Sequence, residues 1–161
     1  TWMFQNRTWL FVFAQQGNKI MGCYSKTKGR TWEVAVSILD TVQIMGMTDN
    51  DDSSIVWAFG NENGTPTRIV MKLTSQVPAE NTGDDAQQST SQMIWRVTTK
   101  EPIPTAGLSV TPPWFETPVS VTRPQGQTGL AYVWFKSGSK MQCFKTTEYF
   151  RVWEEIALEN A

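Results

Sequence analysis

Histidine is absent from the 161 residues of this chain. That removes Ser-His-Asp and Cys-His catalysis, histidine-ligated metal and the commonest general base. Carboxylates, guanidiniums, two thiols and many rings remain. Cys23 and Cys143 permit one disulfide, and two thiols without histidine make no zinc site. Asp49, Asp51 and Asp52 offer oxygen ligands to a calcium ion. Residues 49–53 lack the glycine and later glutamate of an EF-hand loop. A solvated turn is the competing reading, and no cofactor is expected. Glu148 and Tyr149 set an acid beside a phenol, but neighbours on a strand face opposite ways. A glycosidase carboxylate pair cannot be chosen from 15 scattered acids.

The rings carry more information. There are eight Trp, eight Phe and three Tyr. An aromatic face stacks on the apolar face of a sugar while the sugar's hydroxyls seek polar neighbours. Trp114 and Phe115 follow Pro112-Pro113 in a stiff loop, a reasonable place for an exposed binding ring. Asn61, Glu62 and Arg68 flank Trp57 and are its candidate polar partners. Packing competes with binding at both tryptophans. Trp57 also recurs with Phe13 and Trp134 at one repeated position, which reads as core. Trp2 and Trp9 lie outside the recurrent positions.

Strands must position these residues. Such a length suits one domain, 1–161, which buries roughly 70% of its unfolded surface. Lys plus Arg is 14 and Asp plus Glu is 15, a net charge of −1, which argues against nucleic acid as partner. No apolar run approaches the ~20 residues that span a bilayer as a helix. Asn6-Arg7-Thr8 and Asn63-Gly64-Thr65 match the glycosylation pattern, with chance as the competing reading. The compartment stays open, with a lean towards an extracellular or cell-surface protein.

Runs of Val, Ile, Phe and Trp alternate with Gly, Asn, Asp and Pro clusters, the pattern of strands and hairpins. Strands are expected over residues 8–13, 19–24, 31–39, 41–47, 54–59, 68–74, 93–98, 118–121, 131–135 and 140–145. Residues 60–66 read as a loop, 76–92 as a polar insertion, and 101–115 as an irregular connection. The closing stretch from Trp153 reads as a strand and a frayed tail.

Displacing the chain by 121 residues aligns residues 8–33 on 129–154 with six identities: Val12/Val133, Gly17/Gly138, Lys19/Lys140, Arg30/Arg151, Trp32/Trp153 and Glu33/Glu154. A middle copy starts at Ile55-Val56-Trp57-Ala58, which matches Phe11-Val12-Phe13-Ala14. There Trp95 takes the part of Trp32. The repeats span about 1–39, 40–100 and 116–161, and each holds four short strands. Four strands in ~45 residues is the rhythm of propeller blades. The expected fold is all-β, with about three propeller-like blades of four antiparallel strands.

Residues 25–32, SKTKGRTW, resemble the Asp-box (S-x-D-x-G-x-T-W) of sialidase-type β-propellers. Ser25, Gly29, Thr31 and Trp32 match, and Thr27 replaces the defining Asp. In the third copy Thr146 and Trp153 match and Glu148 stands in for the Asp. The resemblance implies a turn between the third and fourth strands of a blade, with Gly in a left-handed conformation. It also implies that Trp32, Trp95 and Trp153 pack between sheets. The family holds sialidases, other glycosidases, sortilin-type receptors and lectins. Sialidases use an arginine triad, a tyrosine nucleophile with a glutamate, and an aspartic acid. None of Arg7, Arg30, Arg68, Arg96, Arg123 or Arg151 falls in such a context. The site of fucose-binding propeller lectins cannot be carried over, because Phe11 and Gly22 stand at its positions.

The expectation is therefore a non-catalytic, lectin-like carbohydrate-binding protein. Its candidate ligand residues are Trp114, Phe115, Trp57, Asn61, Glu62 and Arg68. A glycan is the expected partner. The alternatives are a fragment of a sialidase-like glycoside hydrolase and a protein-interaction propeller. Three blades do not close a ring, so a homodimer completing a six-bladed ring and a fragment of a longer chain both stay open.

Overall fold

Alternation of apolar and polar residues, broken by turn-forming residues, folds this chain into hairpins. A computed structural model describes residues 1–5, 9–17, 19–37, 42–50, 54–76 and 92–159. Asp51, Asp52, the Asn6-Arg7-Thr8 pattern and the interior of the polar insertion lie outside the described residues.

Every regular element described is a strand. The first sheet holds β1 (Trp2–Gln5), β2 (Leu10–Gln16), β3 (Lys19–Ser25) and β4 (Glu33–Ser37). The second holds β5 (Val42–Asp49), β6 (Ile55–Glu62), β7 (Thr65–Gln76) and β8 (Gln92–Pro102). The third holds β9 (Ser120–Thr122), β10 (Ala131–Ser137), β11 (Lys140–Thr147) and β12 (Val152–Ile156). Each is a four-stranded antiparallel meander in chain order. The protein is all-β, built of three four-stranded sheets.

The sequence repeat reappears as register. Phe13 faces Gly22 and Gly22 faces Ala35 in the first sheet. At the same displacement, Trp134 faces Cys143 and Cys143 faces Ile156 in the third. In the second, Trp57 faces Val70, and Trp95 faces Leu73, as Trp153 faces Thr146.

Residues 60–66 are corrected from a loop to a tight hairpin. β6 runs to Glu62, β7 starts at Thr65, and Asn63 and Gly64 turn with φ of 51° and 89°. Asn-Gly suits this turn because both residues tolerate positive φ. Glu148 and Tyr149 lie in the turn position that the Asp-box alignment gives Glu148, not on a strand as their pairing supposed: Glu148, Tyr149 and Phe150 are all left-handed, with φ of 54°, 57° and 66°. Non-glycine residues in that region cost about 1–2 kcal/mol each, so the surroundings must hold them there.

Two cores stack the sheets in series. In the first core, Phe11, Phe13 and Tyr24 of the first sheet meet Val56, Ala58, Met71 and Trp95 of the second. In the second core, Trp57 and Phe59 of the second sheet meet Val133, Phe135, Phe144 and Trp153 of the third. Strands alternate their side chains, so the second sheet offers opposite faces to its two neighbours. The first strands lie on one side of the stack, with β1 beside β5 and β5 beside β9. β4 packs beside β8 on the other side. Gly46 permits one close approach: a Cβ there would collide with the Phe59 ring.

Candidate functional site

The turn after β3 is closed by hydroxyls. Buried Ser25 accepts the Gly29 N–H at 2.8 Å. The Thr27 hydroxyl accepts the Thr31 N–H at 2.8 Å and lies 2.8 Å from the Thr31 hydroxyl. Thr27 thus takes up a turn N–H, the bond whose weakening its replacement of Asp suggests. Gly29 has φ of 86°, which a Cβ would disfavour. Trp32 corrects an expectation. It does not pack between sheets but is 46% exposed, whereas Trp95 and Trp153 are buried as expected.

The third sheet's turn is braced from its neighbour. Arg68 donates to the carbonyls of Glu148 and Tyr149 at 3.1 and 3.2 Å. Its Nε donates to Glu101 at 2.7 Å. Trp153 Nε1 donates to the Phe150 carbonyl at 2.7 Å. The Phe150 ring then sits 4.4 Å from Trp57 and 4.9 Å from Phe59. Burial of that ring in the second core offsets the strain of the left-handed turn.

The six expected ligand residues do not form one site. Trp57 is fully buried against Phe150 and Tyr149. Trp114 is buried edge-on to Trp153 at 4.7 Å. Neither ring has a face open to a ligand, which corrects their expected stacking role. Asn61 is buried, and its side-chain oxygen accepts the Gly64 N–H at 2.6 Å, stabilising the hairpin turn. Glu62 pairs with Lys100 at 2.5 Å. Arg68 serves the brace just described. Phe115 alone keeps the expected character, at 64% exposure. Trp134, expected in the core, is half-buried.

Sequence reasoning missed a cleft of about 440 Å³ on the side where the first strands meet. Trp2, Met47, Thr117, Pro118, Val119 and Ser120 line it. Its walls mix polar and apolar surface, with the Trp2 indole, the Phe4 ring and several hydroxyls, and no lining side chain among the described residues carries a charge. Its only sequence signals were the expected strands at 41–47 and 118–121, whose residues form two of its walls. No protein-family model matches this chain, and neither a curated protein nor a solved structure matches it.

Elsewhere, Cys23 and Cys143 are both free thiols. Burial pushes the Cys143 thiol pKa up. Among the described residues no cluster of three His, Cys, Asp or Glu could hold a metal ion, and no helix is long and apolar enough to cross a membrane.

Proposed function

We propose that the three sheets are blades of the sialidase-type propeller, and that the chain is a non-catalytic carbohydrate-binding module. The cleft between the first strands is its ligand site. The observation that carries this reading is the lining of that cleft: the Trp2 indole, the Thr117 and Ser120 residues, and no charged side chain. A wall with the Trp2 indole, the Phe4 ring, hydroxyls and no charged side chain suits a sugar's apolar face and its rim of hydroxyls. A hydrolase there would need two carboxylates flanking the bond, which this lining does not supply. The regular stacking of one face on the next, the shared register and the hydroxyl-closed turn at residues 25–32 support the blade assignment. Phe115, exposed in the Pro-rich loop outside the cleft lining, is a further ring that a glycan could stack on.

A glycan array probed with the intact chain tests this. Binding to one sugar class is expected, lost in Trp2→Ala and in Val119→Arg. Val119 is 60% exposed and its backbone N–H donates to the Trp134 carbonyl at 2.8 Å. The arginine would therefore fill the cleft without breaking the sheet. A blank array with folded protein overturns the glycan reading. The protein-interaction reading is second, and the outer face of the first sheet favours it.

A further inference from the structure

Each sheet packs by a repeated rule. Trp95 of the second sheet stands 5.0 Å from Phe13 of the first. Trp153 of the third sheet stands 5.0 Å from Phe59 of the second. Trp32 occupies the same repeat position in the first sheet, and among the described residues no further sheet covers it. Around it, Met3, Val12, Cys23 and Val34 form one row across all four strands. Met3 is 68% exposed, Val34 48% and Trp32 46%, with Met21 at 42% on the same face. The corresponding residues Val121, Val133 and Phe144 of the third sheet lie in the second core.

The opposite end of the stack carries the complementary face. Tyr132 and Trp134 stand where the first sheet has Phe11 and Phe13, the rings that receive a neighbour's tryptophan. Both are half-buried, and Met141 on the same face is 41% exposed. A cleft of about 680 Å³ lies beside Met141, Ile156 and Leu158.

We propose that the outer face of the first sheet docks on the outer face of the third sheet of a second copy of this chain, head to tail, with Trp32 of one copy against Trp134 of the other. Continuity with the two interfaces inside the chain carries the argument. Among the described residues the chain holds both halves of that interface, one at each end of the stack, with Trp32 and Met141 exposed on them. Contiguous exposed apolar residues such as Met3, Met21, Trp32 and Val34 mark interaction surfaces. The contact is heterologous, and a closed pair would bring six sheets together, within the ~4–8 blades of known rings. It does not depend on what the cleft binds.

Sedimentation equilibrium of the 161-residue chain tests it. The expected mass is twice 18.2 kDa. Trp32→Glu and, separately, Trp134→Glu should each give monomer with an unchanged far-ultraviolet spectrum. Met141→Glu serves as the milder variant should Trp134→Glu fail to fold. Mixing the Trp32 variant with the third-sheet variant should restore dimer, because one of the two contacts is then intact. A folded wild-type monomer overturns the proposal, whether or not it captures another partner. A dimer broken by the Trp32 variant and not restored by mixing overturns the head-to-tail arrangement.

Discussion

Arg68 and Tyr149 join the second and third sheets: the guanidinium of one donates to the backbone carbonyl of the other at 3.2 Å. The same side chain pairs with Glu101 and is only 11% exposed. It therefore braces a left-handed turn that its own residues would not choose.

Arg68→Ala should destabilise the protein by about 2–4 kcal/mol, the range for removing a part-buried, charge-assisted partner. Arg151 makes the contrasting case. It pairs with Glu148 at 2.9 Å, but both side chains are about half exposed. Arg151→Ala should leave stability almost unchanged, as the loss of exposed ion pairs does. Urea denaturation of the two variants checks the ranking. Equal losses would show that Arg68 does not brace the turn.

Local pattern made the all-β class and the four-stranded units legible, because apolar alternation and turn residues act over neighbouring positions. The displacement that aligns Gly17 with Gly138 in sequence also aligns the hairpins that follow them. Site geometry was not legible. A strand pattern says that Trp57 is apolar-facing, but not that Phe150 arrives from 93 residues away to cover it. The same position that buries Trp95 and Trp153 leaves Trp32 bare, because only sheet order decides whether a neighbour exists. The cleft is likewise built by β1, β5 and the segment before β9, three stretches distant in sequence.

Trp153 is expected to be the costliest single ring in the third sheet. It touches Phe59, Phe150 and Trp114. Trp153→Ala should cost about 3–5 kcal/mol through lost burial and the cavity left behind. Trp153→Phe keeps most of the apolar contact but leaves the Phe150 carbonyl without its indole donor. Its loss should be smaller, about 1–3 kcal/mol. Equilibrium unfolding followed by tryptophan fluorescence measures both. A larger loss in Trp153→Phe than in Trp153→Ala would contradict the packing account.

Thr27 offers a direct test of the Asp-box resemblance. Its hydroxyl accepts one turn N–H at 2.8 Å. A carboxylate at the same place is a stronger acceptor, and Lys26, Lys28 and Arg30 surround it in sequence. Thr27→Asp should raise stability by about 0.5–1 kcal/mol, while Thr27→Val should lower it by about 1 kcal/mol. Thermal unfolding at neutral pH separates the outcomes. A fall in melting temperature for Thr27→Asp would count against the turn belonging to that class.

Tyr24 makes the first sheet sensitive to alkali. Burial, with a hydrogen bond to and the charge of Glu33 on the facing strand, pushes its phenol pKa up to about 12. Lys26 also lies over the ring, with its ammonium 5.5 Å from the centroid, and Trp9 stacks on it at 5.6 Å. The unfolded phenol titrates near 10, so between these values the unfolded state binds fewer protons than the folded one. Stability from this group is therefore complete below pH about 10 and is lost as pH rises through about 12. Tyr24→Phe should flatten that part of the stability profile. Phenolate absorbance followed through an alkaline titration would show one tyrosine ionising late in the wild type and absent from the variant. If all three tyrosines ionised together near the unfolded value while the protein stayed folded, the buried environment assigned to Tyr24 would be wrong.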